Sequence, residues 1–253
     1  MGAVELSFDG GLATLRIGRA HGNAINPDLA QALIHACDQL EVNRSVRGVL
    51  FTSAGKLFSP GLDLQELIEL DRAAMAEFLA LFGRCIRRLY LFPKPVVAAI
   101  RGHAVAGGCV LALTADWRVA KRGVRIGLNE VKVGVPFPYD VAMILRESAN
   151  RSHLTEVAMF GHNYSDEAAV GAGLVHEIAA ADGFEEHCMR RLGELAEKDP
   201  RAFAMTKRYL RSPVETRMQE ADDTHDADFL DAWFSPETQD RIRGIVQQLR
   251  ARE

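Results

Sequence analysis

Three features of this chain bring together residue types that could do chemistry. The first is the stretch Phe58-Ser-Pro-Gly-Leu-Asp63, the second Ala104-Val-Ala-Gly-Gly-Cys109. The third is one carboxylate, Glu130, in the otherwise apolar run Ile126-Gly-Leu-Asn-Glu-Val131. Each of the first two follows a strand-like run, and the second opens an Ala/Leu segment of helical character. A strand that passes through small residues into a helix start leaves backbone N–H groups unpaired and aimed outward. Two such donors on one oxygen would polarise a carbonyl, make its α-carbon acidic and hold the resulting enolate, each donor being worth about 3 kcal/mol of barrier. A carboxyl group in apolar surroundings has its pKa raised toward neutrality, which suits it to carry the proton. The same residues have plainer uses. Small residues permit close helix–strand packing, and Glu130 could cap a turn or pair with Lys132.

Other polar residues near these stretches read as structural. Asp63 is expected to cap a helix and Asp116 to tie a loop. His103 beside Gly102 suggests a nucleophile pair, but there is no Gly-x-Ser-x-Gly elbow, so His103 is expected to bond locally. Gly102 to Gly107 does not fit the dinucleotide fingerprint.

The elements that must position these groups follow from patterning. Alternation around Asp9-Gly10-Gly11 predicts a hairpin over 3–19. Asn26-Pro27 caps and starts a helix whose face is Leu29, Leu33, Ile34, Cys37 and Leu40. Strands are expected at 46–53, 95–100, 117–120, 125–128 and 174–178, a long amphipathic helix at 71–92, and a loop over 129–140. Everything after 181 reads as helix. Alternating strands and helices favour an α/β layered fold, with the helical tail as a lid or an oligomer contact. Its aromatics Phe229, Trp233 and Phe234 are expected to be exposed, which leans toward an interface.

Composition narrows the classes. The 253 residues are 48% hydrophobic and 25% charged with a net charge of −4, so a dominant nucleic-acid role is not expected. The four widely spaced cysteines suggest neither a zinc site nor a disulfide framework, and point to a reducing, cytoplasmic setting. No apolar run approaches a membrane span, and the strand-like amino end does not read as a signal peptide.

With these residues in view, the chain resembles the crotonase (enoyl-CoA hydratase/isomerase) superfamily. The resemblance rests on Phe58-Ser-Pro-Gly-Leu-Asp-Leu-Gln-Glu66, on Gly102-His-Ala-Val-Ala-Gly-Gly-Cys-Val-Leu-Ala112 with Asp116, and on Asn23-Ala24, in matching order over nearly the whole chain. It implies a spiral of ββα repeats over 1–195, a helical trimerisation region over 196–253, and a homotrimer or dimer of trimers. It also implies an acyl-CoA substrate, with coenzyme A carried by the substrate and no separate cofactor or metal. The implied oxyanion donors are Leu62 and Gly107; Pro60, lacking an N–H, cannot serve. The implied substrate-binding positions are Asn23, Ala24, Ser59, Pro60, Gly61, Asp63, Ala106, Gly108, Val110 and Pro136. The adenine is expected near the 19–24 loop, with Arg19, Lys56 and Lys207 as candidate phosphate partners. Hydratases of the family carry two glutamates; the first falls here at Val110, the second at Glu130. The segment from Ile126 to Phe137 and the tail from Phe229 are similar to mitochondrial enoyl-CoA isomerases, which move a β,γ double bond to α,β in fatty acid oxidation. One carboxylate suffices for that shift. Hydration of a 2-enoyl-CoA and non-catalytic thioester binding remain the alternatives.

Overall fold

The computed structural model describes residues 2–220 and 223–251. In chain order the elements are β1 (Val4–Asp9), β2 (Leu12–Ile17), the short turn α1 (Ala20–Asn23), α2 (Pro27–Val42), β3 (Gly48–Ser53), β4 (Leu57–Ser59), α3 (Leu64–Leu67), α4 (Arg72–Tyr90), β5 (Val96–Ile100), β6 (His103–Val105), α5 (Gly107–Leu113), β7 (Trp117–Lys121) and β8 (Arg125–Gly127). There follow α6 (Glu130–Val133), α7 (Tyr139–Ser148), β9 (Asn163–Ser165), α8 (Asp166–Gly171), β10 (Glu177–Ala179), α9 (Phe184–Ala196), α10 (Pro200–Glu220), α11 (Asp223–Trp233) and α12 (Pro236–Arg250).

Strands fall into two sheets, ordered β1-β2-β3-β5-β7-β10 and β4-β6-β8-β9. Successive turns of chain add one strand to each sheet and then a helix: β3-β4-α4, β5-β6-α5, β7-β8-α6/α7. Within each sheet these strands run parallel. This is the crotonase spiral of ββα repeats.

The core explains the strand patterns. β3 and β5 are buried along their whole length, as parallel strands covered on both faces must be. Val49 and Phe51 point to the main core with α2 and α4, while Leu50, Val97 and Ala99 point the other way, onto Phe184, Cys188 and Leu192 of α9. The expected caps form: Asn26 Oδ1 accepts the Leu29 N–H at 3.0 Å, and Asp71 Oδ1 the Ala74 N–H at 2.8 Å.

Four expectations need correction. The 129–140 loop contains α6, a single turn too short to show a period. β4, β6 and β9 are three-residue strands, likewise below the length at which alternation is legible. The strand expected at 174–178 is β10 at 177–179; Leu174 and Val175 are buried as coil after the left-handed turn at Gly173 (φ +77°). The aromatics of α11 are not exposed: Phe229 and Trp233 are 2% and 1% accessible and pack inside. No helix of the described residues is long and apolar enough to cross a membrane.

Candidate active site

A cavity of about 450 Å³ opens between the turns of the spiral and the last two helices. Leu62, Gly107 and Glu130 all line it.

The Leu62 amide is aimed by a single parallel β-bridge. The Ile25 N–H donates to the Gly61 carbonyl at 2.7 Å, and the Asp63 N–H donates to the Ile25 carbonyl at 2.8 Å. In such a bridge the flanking residues face the partner, so the N–H of Leu62 itself faces the other way. Gly61 makes this possible. Its φ is +100°, and a Cβ there would lie 2.8 Å from Ala106 Cβ and 3.0 Å from Gly107 N. The two donor segments are therefore in contact.

Gly107 is the first residue of α5, where N–H groups have no helical acceptor. Ala106, just before it, is held at φ +50°, ψ −128°, a conformation costly for a residue with a Cβ. Its own N–H donates to Gly127 O at 2.8 Å, which locks the donor turn to the strand that leads to Glu130. Among the described residues, neither the Leu62 nor the Gly107 N–H donates a hydrogen bond.

Glu130 opens α6 at the end of β8. Its Oε2 is sealed from solvent and accepts no hydrogen bond. Burial pushes the carboxyl up to about 7, against a smaller downward pull from the N–H groups of Glu130 and Asn129. Val110 of α5, 1% accessible, is also part of the cavity wall. The other carboxylate on the wall, Asp63, is engaged: Oδ2 accepts Arg19 Nη1 at 2.6 Å and Oδ1 caps α3 through the Glu66 N–H.

Of the other positions singled out from the sequence, Ala24, Pro60 and Ala106 line the cavity. The rest act behind the wall. Asn23 is 1% accessible; it accepts the Arg19 N–H and donates to the carbonyls of Ala54 and Leu57, so it braces the loop. Ser59 Oγ accepts the Gly61 N–H at 3.2 Å. Gly108 packs on β4, where a Cβ would lie 2.1 Å from the Ser59 carbonyl oxygen. Pro136 is exposed and off the wall. Beyond the left-handed Gly134 the chain turns Val135 inward and Pro136 out.

Two of the three cations expected near phosphates are committed elsewhere. Arg19 pairs with Asp63 and Glu66. Lys207 is buried, its Nζ 2.7 Å from Asp116 Oδ2, and burial pushes its ammonium down to about 8. Lys56 stays exposed. His103 bonds locally, its Nδ1 accepting the Arg125 N–H.

The wall also includes Phe82 of α4, Val141 of α7, Phe229 and Trp233 of α11, and Ile245 and Leu249 of α12, none of which the sequence reading assigned to a site. The amphipathic period expected at 71–92 covers Phe82, but Phe229 and Trp233 were expected to be exposed, and Val141, Ile245 and Leu249 were not singled out.

The enoyl-CoA hydratase/isomerase family model matches residues 7–248. This chain belongs to that family. A Mycobacterium tuberculosis protein, described as an enoyl-CoA isomerase in one structure and as a probable enoyl-CoA hydratase in another, is 29% identical, with a TM-score of 0.83 over 90% of this chain and 99% of that one in the first. Human mitochondrial delta3-delta2-enoyl-CoA isomerase shares the fold at a TM-score of 0.94, with 23% identity over 99% of both chains. A Thermus thermophilus protein that carries an enoyl-CoA hydratase name is 34% identical over 191 residues, 74% of this chain and 75% of that one. Members of the family are enzymes of acyl-CoA chemistry, and this chain is one of them.

Proposed function

We propose that this member of the enoyl-CoA hydratase/isomerase family is an isomerase that shifts a β,γ double bond of an acyl-CoA to the α,β position. The observation that carries the reading is the single uncommitted carboxyl group on the cavity wall. Among the described residues Glu130 makes no ion pair and its Oε2 has no hydrogen-bond partner, while Val110 of α5, on the same wall, can neither hold nor activate water.

The thioester oxygen lies against the N–H groups of Leu62 and Gly107. Ionised Glu130 removes a proton from the α-carbon, and the electron pair moves onto the oxygen, where the two donors meet the charge as it develops. The same group, now a carboxylic acid, gives its proton to the γ-carbon as the electrons return and the double bond forms between the α- and β-carbons. Apolar walls keep water from the dienolate and hold the pKa of Glu130 near the working range, so that it both takes and returns the proton. Coenzyme A enters as part of the substrate, and no metal or further cofactor takes part. In this reading the nucleotide lies by the 19–24 loop and Lys56.

Incubation with a 3-enoyl-CoA should generate the conjugated 2-enoyl absorbance, whereas a 2-enoyl-CoA should gain water far more slowly. Glu130→Gln should lower isomerisation by at least about a thousandfold while the thioester still binds. Rapid hydration with no isomerisation would give the alternative, a hydratase. Binding with no exchange of the α-proton in either case would make it a non-catalytic thioester-binding protein.

A further inference from the structure

The polar side chains of the cavity wall gather on a few elements. Apart from the Trp233 indole, those with oxygen or nitrogen are His21 on α1, Asp63 and Gln65 at the start of α3, and Asn129 and Glu130 at the start of α6, alongside the apolar Leu64 and Val133. Those supplied by α4, α7 and α11 are Phe82, Val141, Phe229 and Trp233. On the reading that the cavity takes an acyl-CoA, the first group borders the thioester and its coenzyme A arm. The second borders the acyl tail.

Trp233 is the largest side chain at that end and has almost no freedom. It is 1% accessible and stacks on Phe229, with centroids 6.0 Å apart and ring planes at 17°. Its indole N–H is sealed and has no partner among the described residues. What Trp233 presents to the cavity is therefore ring carbon, not a donor. The helix that carries it packs against α4, with Phe229, Leu230 and Trp233 all buried in the main core. A blocking ring held in the core behaves as a stop rather than as a flap.

We infer that Trp233, backed by Phe229, sets the upper limit on acyl-chain length, and that the tail it admits is an uncharged hydrocarbon. A chain that ends in a carboxylate would lose its hydration there and find no donor in return. A chain too long by one or two methylenes would meet a close-packed ring instead of space.

The test is direct binding of saturated acyl-CoAs, which cannot be isomerised and so report on the wall whatever the reaction proves to be. Calorimetry with butyryl- through palmitoyl-CoA should show affinity rising with length and then falling about tenfold or more past one length. Trp233→Ala should move that turning point to longer chains by at least two carbons, and Trp233→Phe, a smaller ring that keeps the stack, by less. Adipoyl-CoA should bind the wild type at least about tenfold more weakly than hexanoyl-CoA. A turning point unchanged in the folded Trp233→Phe protein, or a wild type with no length limit, would overturn the inference even if the alanine variant failed to fold. Equal binding of adipoyl- and hexanoyl-CoA would overturn its second half.

Discussion

Glu130 sits at the start of a one-turn helix with one carboxyl oxygen sealed and unpaired, and its proton affinity is set by that burial. The rate should follow its ionised form, so kcat/KM should climb as pH rises through about 7 and then level off. Stability should move the other way. Between the ordinary glutamate pKa and about 7 the folded state keeps a proton that the unfolded chain has lost, so stability falls as pH rises across that window. Glu130→Gln removes the effect. It should match the wild type near pH 4.5 and exceed it at pH 8, by up to about 3 kcal/mol, as read from denaturant unfolding at the two pH values. Ala106 carries a different cost. Its φ of +50° would suit glycine, so Ala106→Gly should raise stability by about 1 kcal/mol once the added chain entropy is deducted. A loss of stability would show that the alanine is not strained. The sequence marked Glu130 because its neighbours are apolar, and the stretches 58–63 and 104–109 because small residues follow strands there; Leu62 and Gly107 within them were implied only by the family resemblance. It could not mark Ala106, since an alanine carries no sign of the dihedral it is held in. Nor could it separate Asn23, Ser59 and Gly108, which brace the wall, from Ala24 and Pro60, which form it; neighbours along the chain differ there only in which way they point.

At the scale of elements, the donors are placed by close approach of backbones. α5 rests on β4 with Gly108 against the Ser59 carbonyl, the turn before α5 is tied to the end of β8 by the bond from Ala106 N–H to Gly127 O, and the 25–62 bridge holds the first donor. Gly108→Ala would put a methyl group 2.1 Å from a carbonyl oxygen that cannot swing away. It should cost about 1–3 kcal/mol or more and depress activity further than the stability loss accounts for, because α5 carries Gly107. An alanine variant with full activity and unchanged melting would mean that β4 and α5 are less tightly joined than they stand. The long helices and central strands were legible because their apolar periods run for many residues. The short strands β4, β6 and β9, which set the angle of the donor turns, were not, since three residues hold no period and their pairing partners lie far along the chain.

For the whole molecule, α10 is bolted to the spiral through Asp116. Its Oδ2 accepts the Val96 N–H and Lys207 Nζ, and its Oδ1 accepts Arg211 Nη2 at 2.8 Å. Arg211 also donates to the carbonyls of Tyr90 and Thr114. Asp116→Ala would leave two largely buried cations without their counter-charge and should cost about 3–5 kcal/mol, measured by urea unfolding. A loss under about 1 kcal/mol would show that water reaches the pair. Beyond α10, the chain folds back so that α11 and α12 close the cavity its own first half opened, and the aromatics that resembled an interface in the sequence are buried in the same chain. During synthesis that order has a cost in time. Glu130 leaves the ribosome 103 residues ahead of Trp233, and the donor turns earlier still; at ordinary elongation rates that is roughly 5–20 seconds. Until then the apolar wall that α11 and α12 close has no cover from its own chain.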